Sequence, residues 1–166
     1  MTNGYYYTSS QGKKTSDEFY TLASDVREIL RPFDLSNKRV YCPCDTEKSA
    51  WVQYLRGRCS LIHTADDYHN HKRFFKWADI IITNPPFSHF ADFARWCVTY
   101  TGECILITPS HSIFTFWTQR TDGRDFRLLK YTRYFLSPDG RKRECNAGAV
   151  YYYGGKRNLL GEGALF

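Results

Sequence analysis

Ala78-Asp79-Ile80-Ile81-Ile82-Thr83-Asn84-Pro85-Pro86-Phe87 decides how the rest of the chain is read. Its β-branched run has no polar alternation, the pattern of a parallel strand covered on both faces rather than of a half-exposed antiparallel one. The two prolines end that strand, because neither can donate to a ladder and each restricts the residue before it. Ser88 then caps a helix whose apolar stripe is Phe90, Phe93, Ala94, Cys97 and Val98. Glu103 to Thr108 follows as a second buried strand. Upstream, Lys38 to Cys42 and Ser60 to His63 read as short strands. Between and before them, Trp51, Tyr54 and Leu55 recur at helical spacing up to Gly57. Leu22, Val26, Ile29 and Leu30 do the same, with Ser24 as N-cap and Pro32 as a stop. Strand alternating with helix predicts an open α/β sheet with crossover connections. The last third breaks the rhythm: Tyr131 to Leu136, a Pro138-Asp139-Gly140 turn and Ala147 to Tyr153 predict an antiparallel C-terminal hairpin on a mostly parallel sheet.

The 166 residues are enough for one domain with a real core. Residues 1–16 are polar and expected to be flexible, and residues 17–166 are expected to form a single domain. No apolar run approaches the roughly 18–20 residues of a membrane span. Met1 to Lys14 is polar and tyrosine-rich, with no stretch to serve as a secretory signal, so a cytoplasmic location is expected. Of the six cysteines, Cys104 lies in a strand-like run and Cys97 on an apolar helix face, positions that suit buried free thiols in a reducing compartment. Twenty-three basic against 17 acidic residues give a net charge of +6, a bias toward polyanions. The basic residues cluster late, at Arg120, Arg124, Arg127, Lys130 and Arg133, and again at Arg141, Lys142 and Arg143.

Asn84-Pro85-Pro86-Phe87 sits where open α/β sheets bind ligands, beyond the carboxyl end of a buried strand. An aromatic amine is a poor nucleophile because its lone pair is delocalised into the ring. Two acceptors on its hydrogens would hold the nitrogen toward tetrahedral geometry and aim the lone pair at a methyl sulfonium. The Asn84 side-chain oxygen and the Pro85 carbonyl are the candidates, with Pro86 fixing the backbone. Phe87 offers a face on which a flipped-out base can stack, typically worth ~1–3 kcal/mol.

With these residues in view, the chain resembles the amino-methyltransferases of nucleic acids, and among them the EcoRI-type adenine-specific DNA methyltransferase family. Asp79-Ile-Ile-Ile-Thr-Asn-Pro-Pro-Phe-Ser88 is similar to the family's catalytic segment. Val40-Tyr-Cys-Pro-Cys-Asp45 resembles its first-strand motif, and Asp17-Glu-Phe-Tyr-Thr21 the cofactor-contacting segment before that strand. The resemblance implies a Rossmann-like class I methyltransferase sheet, S-adenosylmethionine as cofactor and the exocyclic amine of adenine in DNA as acceptor. It implies that Phe19, Tyr20 and Thr21 lie along the cofactor, Thr21 near its amino-acid end. Pro43 and Asp45 would line the pocket, Asp45 near the cofactor ammonium. Asp67, with Asp66 as an alternative, would lie near the cofactor adenine. The interval between Ser60–His63 and Ala78 is short for the family's acidic ribose contact, and no separate target-recognition domain is expected within these residues. Recognition is therefore minimal or comes from a second subunit or partner.

Other candidates are weaker. Cys42, Cys44, His63, His69 and His71 invite a metal reading, but Cys-x-Cys is tighter than the spacing zinc pairs use, and no metal is assigned. Ser110-His111 lacks a nucleophile elbow. Phe114, Phe116 and Trp117 suit core or base contact. Arg120, Arg124, Arg127 and Lys130 are assigned to phosphate contacts. RNA adenine and a protein glutamine amide pose the same chemical problem as DNA adenine and remain alternatives. A non-catalytic subunit of the same fold, binding nucleic acid or a partner, is the rival from another class.

Overall fold

The computed structural model describes residues 20–64, 77–85, 93, 102–109, 126–137 and 139–153. Strands β2 (Arg39–Cys42), β3 (Leu61–Thr64), β4 (Ile80–Thr83) and β5 (Glu103–Pro109) form a parallel run in the order β3-β2-β4-β5. Beyond β5 the sheet turns antiparallel. Strand β7 (Lys142–Tyr153) pairs with β5, β6 (Phe126–Leu136) with β7, and β1 (Tyr20–Thr21) with the end of β6. The mostly parallel α/β sheet with an antiparallel C-terminal hairpin is thus the observed architecture.

The parallel half owes its form to burial. Every residue of β4 is buried, Ile80, Ile81 and Ile82 completely so, and each such side chain contributes roughly 1.5–3 kcal/mol relative to an exposed position. Helices α1 (Ala23–Leu30) and α2 (Ala50–Leu55) pack against each other, and Val26, Ile29, Leu30, Trp51, Val52 and Leu55 share one core with β2, β4 and β5. Phe135, at the far end of β6, is fully buried in that same cluster. The hairpin is therefore part of the core.

Several boundaries differ from expectation. Ser24 does not cap α1: Leu22 occupies that position in extended conformation, without a side-chain cap, and its carbonyl accepts from Asp25 and Val26. Asp25 in the first turn complements the helix dipole instead. Helix α2 does have a side-chain cap, Ser49, whose hydroxyl accepts from the Val52 N–H at 3.2 Å. Strands β6 and β7 begin or extend well beyond Tyr131 and Ala147, and register shifts between Leu128 and Lys130 and between Thr132 and Tyr134 account for the difficulty of reading them. Gly140, at φ +77°, makes the hairpin turn. Beyond Pro86, only Phe93 of the expected Ser88 helix is described; it is helical and buried. Residues 1–19, with the expected flexible segment, lie outside the described residues, as do Cys97, Ser110, His111, Phe114, Phe116 and Trp117.

At the amino edge of the sheet, Asp79 accepts from the Arg39 backbone N–H, Nε and Nη2 at 2.8, 3.0 and 2.8 Å. These bonds, the Arg39 side chain first, hold the Asp79 carboxyl down at about 2 against an ordinary 3.8. A depressed carboxylate stabilises above its unfolded value and loses that contribution as pH falls through the folded one. Asp79→Asn is therefore expected to lower stability by about 1 kcal/mol or less above pH 4, the pair being partly exposed. The difference should vanish near pH 2, which thermal melts of the two proteins across that range would check.

Candidate active site

From β2 the chain passes to β3 on one side, then returns to form β4 on the other. The strand order thus reverses between β2 and β4, the kind of switch point beyond whose carboxyl ends open α/β sheets bind ligands. Val40 stands level with Ile80 and Tyr41 with Ile81, so the two strands end side by side. The loop after β2 brings Pro43, Cys44 and Asp45 to this point. The loop after β4 brings Asn84 and Pro85.

The two loops are joined through buried polar groups. Thr83, fully buried, donates from its hydroxyl to Asp45 Oδ2 at 2.9 Å and accepts from the Cys44 N–H at 3.3 Å. The Asp45 carboxylate, only 6% exposed, also accepts from the Ser49 hydroxyl and from the Asn84 backbone N–H. Burial pushes the Asp45 carboxyl up to about 6 from 3.8, against the pull of the Thr83, Ser49 and Asn84 hydrogen bonds. None of its partners is basic. An acid with that value is largely ionised at neutral pH, so the switch point carries a buried negative charge without a counter-ion among the described residues. Burial, reinforced by Asp45, Cys59 and Glu47, keeps the neighbouring Cys42 thiol protonated.

Strand β1 stands at the edge of the sheet beside β6. Thr21 is buried and accepts from Trp51 Nε1 at 3.0 Å, which fastens the strand to α2. Tyr20 next to it is 47% exposed, as alternation along a strand requires. Pairing with Phe135 and Leu136 fixes the position of both.

Of the residues singled out in the sequence, Asn84, Pro85, Pro43 and Asp45 are brought together at the ends of β2 and β4. Tyr20 and Thr21 are placed on β1. Asp45 is turned onto Thr83 and Ser49 and is not open to solvent. Pro86, Phe87, Phe19, Asp66, Asp67, Arg120 and Arg124 lie outside the described residues, as does the side chain of Arg127 on β6. Lys130 is engaged within the fold: its ammonium pairs with Asp25 at 3.2 Å and with Glu28, both on α1. A phosphate would have to compete with two carboxylates for it. Among the described residues, no three His, Cys, Asp or Glu side chains are grouped to hold a metal. His63 stacks on Tyr41 with ring centroids 5.7 Å apart. The sequence reading missed Thr83 and Ser49, whose importance lies wholly in what they touch.

A parallel β3-β2-β4-β5 run with its switch point between β2 and β4, completed by antiparallel β7 and β6, defines the Rossmann-like methyltransferase fold. Solved structures share it. A dimethyladenosine transferase from Plasmodium falciparum is 8% identical, with a TM-score of 0.56 over 84% of this chain and 63% of that one. The 23S rRNA methyltransferase ErmE is 12% identical, with a TM-score of 0.50 over 89% of this chain and 73% of that one. This chain thus spans just under two thirds of the Plasmodium protein's length. At such identities the likeness is one of fold. No protein-family model matches the sequence, and no curated protein does.

Proposed function

We propose that this chain is an S-adenosylmethionine-dependent methyltransferase acting on the exocyclic amine of adenine in nucleic acid, with DNA the substrate that the sequence resemblance implies. The observation that carries the reading is the meeting of Asn84 with a buried carboxylate, Asp45, that has no basic partner among the described residues, at the switch point of a methyltransferase sheet. A cationic ligand fits above such a charge, and the cofactor carries both a sulfonium and an ammonium. Because Asp45 already receives three hydrogen bonds, we assign it a contribution through charge, with Thr21, Tyr20, Phe19 and Pro43 as the pocket's wall. Asp67 or Asp66 is assigned to the adenine end.

When bound, the cofactor supplies an electrophilic methyl group. The Asn84 carboxamide oxygen and the Pro85 carbonyl accept the two amine hydrogens, and Pro86 holds that carbonyl in place. The base stacks on Phe87. The held nitrogen would take that methyl group, with the cofactor's thioether as the leaving group, and its surplus proton would leave to solvent. Rate comes from orientation and from dipoles matched to charge developing on nitrogen. Arg120, Arg124 and Arg127 are assigned to phosphates; Lys130 could join them only by leaving Asp25 and Glu28. Recognition of a target sequence is either minimal or comes from a second subunit or partner.

RNA is the second reading, because the names of the two structures above carry a dimethyladenosine product and a ribosomal RNA substrate. Isothermal titration with adenosylmethionine is expected to give one site per chain. Assays of methyl transfer to DNA, RNA and protein in parallel then separate the substrates. Absence of cofactor binding would instead point to a non-catalytic subunit.

A further inference from the structure

We propose that Thr83 is a positioning residue, whose hydroxyl, acting with the Asp45 carboxylate, locks the loop after β2 to the loop that carries Asn84. The proposal rests on the reading of Asn84 as an acceptor for the target amine, and it adds a coupling between the cofactor side and the substrate side of the site. The starting point is a residue out of keeping with its surroundings. After Ile80, Ile81 and Ile82, a fully buried fourth position would be filled more cheaply by valine or isoleucine. A buried hydroxyl is unfavourable unless both its donor and its acceptor capacity are used. Both are used here: Thr83 donates to Asp45 and accepts from the Cys44 N–H.

The direction of each bond is set. An ionised carboxylate only accepts, so the Thr83 proton must point at Asp45, which leaves a lone pair for Cys44. Asp45 in turn gathers the Ser49 hydroxyl at the start of α2 and the Asn84 N–H after β4. Three donors from two chain segments therefore converge on one carboxylate, and the backbone of Asn84 is among them. A shift of the β2 loop is passed to Asn84 through Thr83 and Asp45 rather than absorbed by water. Such coupling matters for in-line transfer, where misplacing one reactant by about 1 Å costs on the order of a hundred-fold in rate.

Thr83→Val keeps the shape and removes both hydrogen bonds, whereas Thr83→Ser keeps them. In the full chain, well above pH 6 where Asp45 is ionised, Thr83→Val is expected to lower kcat at least about ten-fold with the adenosylmethionine Kd little changed, and Thr83→Ser to restore most of the rate. Because the lost donor favoured the ionised form of Asp45, the acidic limb of the kcat profile should also move to higher pH. Among the described residues, the Cys42 thiol on β2 interacts with that carboxyl; burial keeps it protonated, and it does not donate to Asp45. A readout independent of turnover is the pH dependence of the Asn84 amide resonance by NMR, which should follow the titration of the Asp45 carboxyl and shift with it in the valine variant.

An unchanged kcat in Thr83→Val, or a serine variant as slow as the valine one, would overturn the proposal. So would an Asn84 amide indifferent to Asp45, whatever the activity. A wild type that binds no adenosylmethionine would overturn the functional reading instead, and the amide titration would still report whether the loops are coupled. Should Thr83→Val fail to fold, Ser49→Ala removes another donor from the same carboxylate and is read by the same upward shift of the Asn84 titration.

Discussion

Asn84→Ala is expected to reduce methyl transfer by at least about a hundred-fold, the usual cost of removing one preorganised dipole from a reacting centre. The affinity for adenosylmethionine should stay within a few-fold of the wild type. The structure explains why the two effects separate. Among what Asn84 gives to the fold is its backbone N–H, donated to Asp45, and alanine retains it. What it would give to the reaction is the side-chain carboxamide, which alanine lacks. Stability and the buried network should therefore survive the substitution, and the loss should fall on kcat. Single-turnover rates with the best nucleic acid substrate, alongside calorimetry with the cofactor, make the check. Turnover within ten-fold of the wild type would remove Asn84 from the mechanism and with it the assignment of the Asn-Pro-Pro-Phe segment.

The parts of this molecule that could be read in advance are those whose signal is local. Strand β4 announces itself because burial on both faces demands an uninterrupted β-branched run, and the prolines after it leave no ambiguity about where it stops. The hairpin was legible as a turn but not in its length. Its register shifts between Leu128 and Lys130 and between Thr132 and Tyr134 interrupt the two-residue alternation that marks a strand. Strand β1 has two residues, too few for any period, and exists because Phe135 and Leu136 offer it an edge. The site divides the same way. Asn84 and Asp45 stand in recognisable segments. Thr83 acquires its role from a carboxylate 38 residues away, on the loop after the neighbouring strand β2. Tertiary partners of that kind leave no trace in spacing.

Asp45→Asn should make the protein more stable at neutral pH and a poorer binder of its cofactor. The carboxyl lies at about 6 when folded, raised from 3.8 chiefly by burial. A group raised on folding contributes its stability in full below the unfolded value, and that contribution is lost as pH rises through the folded one. Wild-type stability should therefore decline between about pH 4 and pH 6 and level off above. The span from 3.8 to about 6 corresponds to ~3 kcal/mol between the two protonation states. Asparagine resembles the protonated acid in shape and charge, and the Thr83 and Ser49 hydroxyls can rotate to meet its amide. The variant should thus show no such decline and, at pH 7.5, melt roughly 5–10 °C above the wild type. Near pH 4 the two should melt together. The opposing pH trend of Asp79 belongs below that window and does not blur it. If a cofactor cation sits over the carboxylate, binding favours the ionised form, so wild-type affinity should improve through pH 6 while the asparagine variant binds more weakly and without that slope. Coincident melting curves at pH 7.5 would mean that Asp45 is not the isolated buried charge described above. A large stability gain with unchanged cofactor affinity would separate the charge from the pocket, leaving Asp45 only the task of holding Thr83 and Asn84 together.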